Sequence, residues 1–433
     1  MYHFIGIKGS GMSSLAIVMK KMGYSVQGSD YDKHFFTEDE LISNNIKILS
    51  FDKNNIKDGM TIVKGNVFDE DNVEVKEALR LNLKIYSYQE MVDFITKNYD
   101  LIAISGCHGK TTTSKLLSYV LDSNYLVGDG SGSISNSEYF VLEACEYRRH
   151  FLNYHPKITI ITNIDLDHID YFNDIDDVIS AYQDFVNQSQ IVIACGDCSY
   201  IRKLNGVNYL YGIGSDNDFI ADNIIYSSSG ISFDFKVYDE VIKHIDVPFF
   251  GKHMVLNVLA VLSVYFLEGF DLNLIDYKLC GFKGANRRFS EYFVLDNVVI
   301  DDYAHHPNEI ISVIDAVRQK YPNKKLISIF EPHTFSRVKK FYKEMAMALN
   351  SSDYCYVMDI YKAREREEDY LGVSSNLILE FIDNGEHIDS FDVNKLLHYS
   401  NSILLFMSPN DLTFFEKLYM DCYVKKNFKK IKD

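Results

Sequence analysis

The run Ser105-Gly106-Cys107-His108-Gly109-Lys110-Thr111-Thr112-Thr113 carries the strongest chemical signal in the chain. A strand-like apolar run precedes it, and Leu116, Leu117, Val120 and Leu121 share one helical face after it. Glycines at such a junction let backbone N–H groups close on phosphate oxygens, and the positive end of a helix dipole favours the anion. Lys110 would neutralise β- and γ-phosphate oxygens, and the Thr111 hydroxyl would coordinate Mg2+. The general phosphate loop carries one more glycine, where this chain has Ile104. A Gly-Lys-Thr helix start without a ligand is the plainer alternative.

Other chemistry-bearing residues also fall at strand ends. Glu143-Ala-Cys-Glu146 closes an apolar run, where a carboxylate can face a phosphate site and hold a metal, or simply meet solvent. Asn163-Ile-Asp165-Leu-Asp167-His168 closes another, and open parallel sheets bind ligands at their strand C-termini. Most of the aspartates from Asp165 to Asp177 read as a solvated, acidic helix start. In Asp301-Asp302-Tyr303-Ala304-His305-His306-Pro307, one acid and one histidine could touch a ligand. Arg287, Arg288 and Arg337 sit near turns and suit phosphate or carboxylate, although lone arginines are ordinarily solvated. The turn Gly6-x-x-Gly9-x-Gly11 encloses Lys8, which favours a diphosphate, and Asp30 lies where a ribose-binding acid could sit. Cys195-Gly-Asp-Cys198 is a lone pair of thiols without a second pair at zinc spacing.

The elements that must position these residues form an α/β pattern. Residues 3–7, 12–22 and 25–28 read as strand, helix, strand, the start of a Rossmann-like unit. Near-continuous apolar runs at 99–105, 139–142, 158–161 and 190–194, separated by helices, predict a buried parallel sheet. Ile231, Phe233, Phe235 and Val237 alternate with polar residues, which predicts antiparallel strands appended to it. Met254 to Phe270 reads as a buried helix. After Gly284, strands at 298–300, 326–330, 355–360 and 403–407 and a helix at 308–321 predict a third α/β layer.

At 433 residues and roughly 150 per domain, about three domains are expected. The apolar fraction of 47% supplies packed cores, and 24% charged residues exclude wholesale disorder. A net charge of −17 excludes non-specific binding to nucleic acid or anionic membrane. No signal peptide or membrane span is expected, and seven cysteines fit a reducing cytosol.

Taken in order, these motifs resemble the Mur ligase family over essentially the whole chain. The resemblance rests on Gly6-Ile-Lys-Gly-Ser-Gly-Met-Ser13, Gly28-Ser-Asp30, Gly106 to Thr113, Glu143 to Phe151, Thr162 to His168, Gly251-Lys-His253, Arg287-Arg-Phe289, Asp301 to Pro307 and Pro332 to Arg337. This family writes its phosphate loop Gly-x-x-Gly-Lys-Thr, so Ile104 is no anomaly. The resemblance implies a Rossmann-like N-terminal domain at 1–96 that binds a UDP-sugar. It implies a central P-loop ATPase-type parallel sheet with a small antiparallel addition at 97–284. A Rossmann-like C-terminal domain at 285–433 would close over ATP and the amino acid.

The resemblance also implies ATP-dependent ligation through an acyl phosphate in cytoplasmic peptidoglycan precursor synthesis, with UDP-N-acetylmuramate and L-alanine as substrates and ATP and Mg2+ required. Thr111 and Glu143 would hold one Mg2+ and His168 a second. Gly106, Cys107, His108, Gly109, Lys110, Thr111 and Thr112 would cradle the phosphates. His253 and Asn257 would lie near the adenine, and Arg288 and Asp302 would reach ATP phosphate and ribose. Gly9, Ser10, Gly11, Met12, Ser29 and Asp30 would bind the UDP-sugar, and His305, His333 and Arg337 would face the acyl acceptor. Two alternatives stay open: a ligase adding a peptide or another amino acid, and a nucleotide-binding protein without ligation. Monomer and homodimer are equally compatible. Two places depart from the family pattern. Ser408-Pro409-Asn410-Asp411 stands where Gly-Ala-Gly-Asp is usual, and Met254 where Asn is common.

Overall fold

The computed structural model describes residues 1–35, 37–168, 171–363, 365–389 and 392–432, with side chains through 428. The described residues form three sheets, each within an α/β layer. The first holds β1 (Tyr2–Ile5), β2 (Val26–Ser29), β3 (Lys47–Leu49), β4 (Thr61–Lys64) and β5 (Lys84–Ser87), in the order β3-β2-β1-β4-β5 and all parallel. The helix after β1 runs Ser10–Lys21. Its apolar positions Leu15, Ile17, Val18 and Met19 are fully buried, and it stops before Gly23, whose φ is +89°.

The second sheet contains β6 (Asp100–Ser105), β7 (Asn124–Leu126), β8 (Gly132–Ser133), β9 (Tyr139–Glu143), β10 (Ile158–Ile161), β11 (Ile191–Cys195), β12 (Tyr209–Gly212), β13 (Phe219–Ser227), β14 (Gly230–Val237) and β15 (Glu240–Val247). Its order is β15-β14-β13-β12-β11-β10-β6-β9-β7-β8. β6 lies parallel between β9 and β10, so three strand C-termini open side by side. The alternation at 231–237 becomes β14, with Ile231, Phe233 and Phe235 buried. Two-residue connections at 228–229 and 238–239 join β13, β14 and β15. The helix read from Met254 begins two residues earlier and runs Lys252–Leu267.

The third sheet holds β16 (Ser290–Val294), β17 (Asn297–Asp302), β18 (Lys325–Phe330), β19 (Tyr354–Val357), β20 (Gly385–His387) and β21 (Ser402–Met407), in the order β16-β17-β21-β18-β19-β20. Only β16 runs antiparallel to its neighbour. Both faces are covered, as a parallel sheet requires. Ile300, Leu326 and Leu405 enter one core with Ile310 and Ile314, while Val299, Ile327 and Phe406 enter the other with Tyr419.

Two compact units result. The first comprises residues 1–222, 234–244 and 256–283, and the second 223–233, 245–255 and 284–433. Within the first unit the first sheet docks on the second. Ser14 Oγ donates to Val127 O at 3.0 Å and Lys21 Nζ to Gly132 O at 3.2 Å. A Cβ on Gly132 would come within 2.6 Å of Val18. No helix among the described residues is long and apolar enough to cross a membrane.

The second unit buries an unbalanced ionic group. Arg287 binds Asp301 through Nε at 3.0 Å and Nη2 at 3.2 Å. Glu416 lies beside them, 2% exposed, with one carboxylate oxygen lacking a hydrogen-bond partner among the described residues. Burial first, then the Asp301 charge, push its carboxyl up to about 8. Between the ordinary carboxylate range and that value, the folded chain holds a proton that the unfolded chain has released. Stability therefore falls as pH rises through the window. Glu416→Gln is expected to raise unfolding free energy by about 2 kcal/mol near pH 8, with the gain vanishing toward pH 4. Paired denaturant titrations across pH check this, and a gain independent of pH refutes it.

Candidate active site

β6 ends at Ser105, and the helix Lys110–Leu121 begins five residues later. The turn between them depends on two glycines. Gly106 has φ +137° and Gly109, the helix N-cap, has φ +83°, conformations that side chains disfavour. A Cβ on Gly106 would strike Thr162 Oγ1, and one on Gly109 would lie 2.9 Å from Asn257 Oδ1.

The end of β10 grips this turn. Asn163 Oδ1 accepts from His108 N at 2.9 Å, while Asn163 Nδ2 and Thr162 Oγ1 both donate to His108 O, at 2.8 and 2.6 Å. Cys107 Sγ accepts from Asp165 N at 3.1 Å. Burial and the Glu146 charge push the Cys107 thiol well above its usual value, so it packs rather than reacts. Thr162 and Asn163 emerge only here as supports of the loop.

The charged residues meet where the three strands end. Lys110 Nζ lies 3.0 Å from Glu146 Oε2 and donates to Gly106 O. Burial, the largest single effect, would lower the Lys110 ammonium pKa, but the Glu146 carboxylate together with Cys145, Cys107 and Glu143 outweighs it and holds the group charged, above the usual lysine range. Thr111 Oγ1 donates to Glu143, 3.1 and 3.0 Å from its two oxygens, and Gly128 N donates to Glu143 Oε2 at 2.8 Å. Burial raises the Glu143 pKa, partly offset by Lys110, the Gly128 N–H and Thr111. His168 Nε2 stands 3.8 Å from Glu146 Oε1, and its ring centroid is 4.7 Å from that of Tyr147. Its φ of +50° is uncommon for a non-glycine residue.

Lys110, Thr111, Glu143 and His168 are thus gathered together, with Glu146, 1% exposed, between the lysine and the histidine. Glu146 was not among the expected site residues, although the three-residue spacing from Glu143 was its signal. A hydroxyl paired with a carboxylate is an oxygen donor set that suits a hard divalent cation. The fixed ammonium suits phosphate oxygens. Ile169 and Asp170, within the acidic run, lie outside the described residues. Elsewhere in that run, Asp174 caps the helix Ile175–Asn187, and Asp177 pairs with Arg149 at 2.9 Å.

In the first sheet, Gly9 caps the helix that carries Ser10, Gly11 and Met12. Asp30 accepts from Lys8 N at 2.7 Å and Tyr31 N at 2.8 Å, which holds the glycine turn against β2. The Ser29 hydroxyl is fully buried and donates to Glu74. The Lys8 ammonium, expected to favour a diphosphate, is 6% exposed and bonds Tyr31 O, Lys33 O and Glu38.

Asn257, in the first unit, accepts from Thr113 Oγ1 at 3.2 Å. His253 belongs to the second unit, where burial and then Arg288 push its imidazole down to about 4. In the same unit Asp302 accepts from Phe289 N and Ala304 N, both at 2.8 Å, and burial raises its carboxyl to about 6 against the pull of Arg288. The three residues expected at the acceptor side do come together. The His305 and His333 ring centroids are 5.5 Å apart, and Arg337 Nη1 lies 2.7 Å from His333 Nδ1.

Three family models match the chain in sequence. They are the Mur ligase family catalytic domain at residues 1–100, the Mur ligase middle domain at 104–265 and the Mur ligase glutamate ligase domain at 287–404. The chain is 46% identical over 429 residues to UDP-N-acetylmuramate–L-alanine ligase of Ligilactobacillus salivarius (strain UCC118), covering 97% of this chain and 96% of that protein. The crystal structure of UDP-N-acetylmuramate-alanine ligase from Thermotoga maritima superposes with a TM-score of 0.84 at 22% identity, covering 98% of this chain and 99% of that one. A murein peptide ligase from Psychrobacter arcticus 273-4 follows at 0.72 and 20% identity, covering 98% of each chain.

Proposed function

The chain belongs to the Mur ligase family and is an ATP-dependent ligase of peptidoglycan synthesis, and from that premise we propose that it joins L-alanine to the carboxylate of UDP-N-acetylmuramate in the cytoplasm. The observation that carries the substrate assignment is the near full-length identity of 46% to a ligase named for those two substrates. The seven free thiols and the nucleotide substrates support the cytoplasmic setting.

The sugar-linked carboxylate attacks the γ-phosphorus of ATP, the bond to the β,γ-bridging oxygen breaks, and ADP leaves. The alanine amine, after loss of one proton from its ammonium form, attacks the acyl phosphate carbon. The C–O bond to phosphate breaks, a second amine proton is released, and an amide remains. Two anions must approach each other in the first step. Lys110 offsets that repulsion at the head of its helix. Thr111 and Glu143 would hold one Mg2+, and His168, beside Glu146, a second; such an ion, when bound, would screen phosphate charge. Gly106, Cys107, His108, Gly109 and Thr112 complete the phosphate cradle.

Gly9, Ser10, Gly11, Met12 and Asp30 serve the UDP-sugar in a domain at 1–96, with Ser29 buried behind them against Glu74. His253 and Asn257 serve the adenine in a domain at 97–284. Arg288, Asp302, His305, His333 and Arg337 serve ATP and the acceptor from a domain at 285–433. The test is an acceptor panel at equal concentration, read as phosphate release and product mass. L-alanine is expected to give the amide only when UDP-N-acetylmuramate, ATP and Mg2+ are all present. Preference for a preformed tripeptide, or ATP binding with no amide from any acceptor, overturns the assignment.

A further inference from the structure

The loop 408–411 departs from the family pattern by losing two glycines, and the second unit contains what replaces their freedom. Ser408 is fully buried and Glu331 is 8% exposed. Ser408 Oγ donates to Glu331 Oε2, and Asn410 N donates to Ser408 Oγ at 2.9 Å. Asn410 Nδ2 donates to Glu331 Oε1 at 3.4 Å. Arg287 Nη2 adds a bond to Ser408 O at 2.8 Å. Side-chain bonds therefore hold a loop that the family builds from flexible backbone.

β21 lies between β17 and β18, and the clasp stitches all three strand ends. Ser408 N donates to Asp302 O at 3.1 Å, and Glu331 N donates to Met407 O at 3.0 Å. The segment after Glu331 is Pro332-His333-Thr334, and Thr334 has φ +61° and ψ 141°. That is a strained conformation for a β-branched residue and persists only where its surroundings fix it. Thr334 N to Tyr361 O, at 2.9 Å, secures one end of the turn. The Glu331 clasp secures the other. Between them stands His333, bonded to Arg337 and facing His305.

We infer that Glu331, clasped by Ser408 and Asn410, is a positioning residue that holds the turn presenting His333 and Arg337 and thereby sets affinity for the amino-acid acceptor. This rests on the reading that those residues serve the acceptor. Glu331 acts through the turn, so its loss moves binding geometry rather than removing a reacting group.

Steady-state kinetics of the full chain, with each of the three substrates varied in turn, test it. Ser408→Gly and Glu331→Ala are each expected to raise KM for the acceptor about tenfold or more. KM for ATP and for the nucleotide sugar should stay within about twofold. Glu331→Gln keeps an acceptor oxygen for the clasp and should stay near wild type. The Ser408→Gly/Glu331→Ala pair should be no worse than its worse single variant, as expected of residues in one clasp. Additive effects, an unchanged acceptor KM, or a joint rise of all three KM values with a lowered melting temperature overturn the inference. Should Glu331→Ala fail to fold, Ser408→Gly and Glu331→Gln decide it alone. If the wild type prefers a peptide acceptor, the substrate reading fails separately, and the clasp is judged by that peptide's KM.

Discussion

Replacing Lys110 with alanine is expected to lower kcat by ~10³-fold or more, because a preorganised cation at the transferring phosphoryl group accounts for an effect of that order. The variant carries a second cost. Glu146 is 1% exposed and is paired to the lysine at 3.0 Å. Breaking a buried pair by removing one partner destabilises by about 3–5 kcal/mol. Activity lost through unfolding would imitate activity lost through chemistry. The double variant Lys110→Ala/Glu146→Gln separates the two, since it removes the stranded charge. It is expected to recover the melting temperature lost by the single variant without recovering turnover. Phosphate release and thermal melting measured together give the answer. A double variant within tenfold of wild-type kcat would refute the role given to Lys110.

Glu143→Gln is expected to lower kcat/KM on the order of 10²-fold and to move half-saturation by Mg2+ upward. Glutamine retains an oxygen for the Gly128 N–H, which now meets Glu143 at 2.8 Å, so the end of β9 should keep its shape. What it loses is the negative charge beside Thr111. Burial already raises the Glu143 pKa, and protonation removes the same charge. Protons should therefore compete with Mg2+ in the wild type, so that its Mg2+ affinity weakens on the acid side, beginning above the ordinary carboxylate range. The glutamine variant should lack that weakening. Magnesium titrations at two pH values check both statements. A variant with unchanged Mg2+ dependence would remove Glu143 from the metal site.

Much of the site is legible in the amino-acid sequence because it is local in the chain. A phosphate loop needs glycines, a lysine and a threonine within nine residues, between a strand and a helix, and residues 105–113 supply all of them in order. The same holds for the α/β pattern, where apolar runs mark buried strands and period-two alternation marks β14. Backbone conformation and burial follow from neighbours a few positions apart, so the sequence by itself determined the layers and the glycine-lysine-threonine turn between β6 and its helix.

Which strand ends share an edge is a different question. β6 lies between β9 and β10 because crossover connections and packing place it there, and no short-range signal encodes that order. Glu146 meets Lys110 across 36 positions, and Ser408 meets Glu331 across 77. Lys8 turned from the expected ligand toward Glu38 and two loop carbonyls, since its burial demands partners inside the protein. Buried charges must be paired with whatever the fold brings near. The tertiary structure alone therefore decided where these carboxylates and ammonium groups spend their charge.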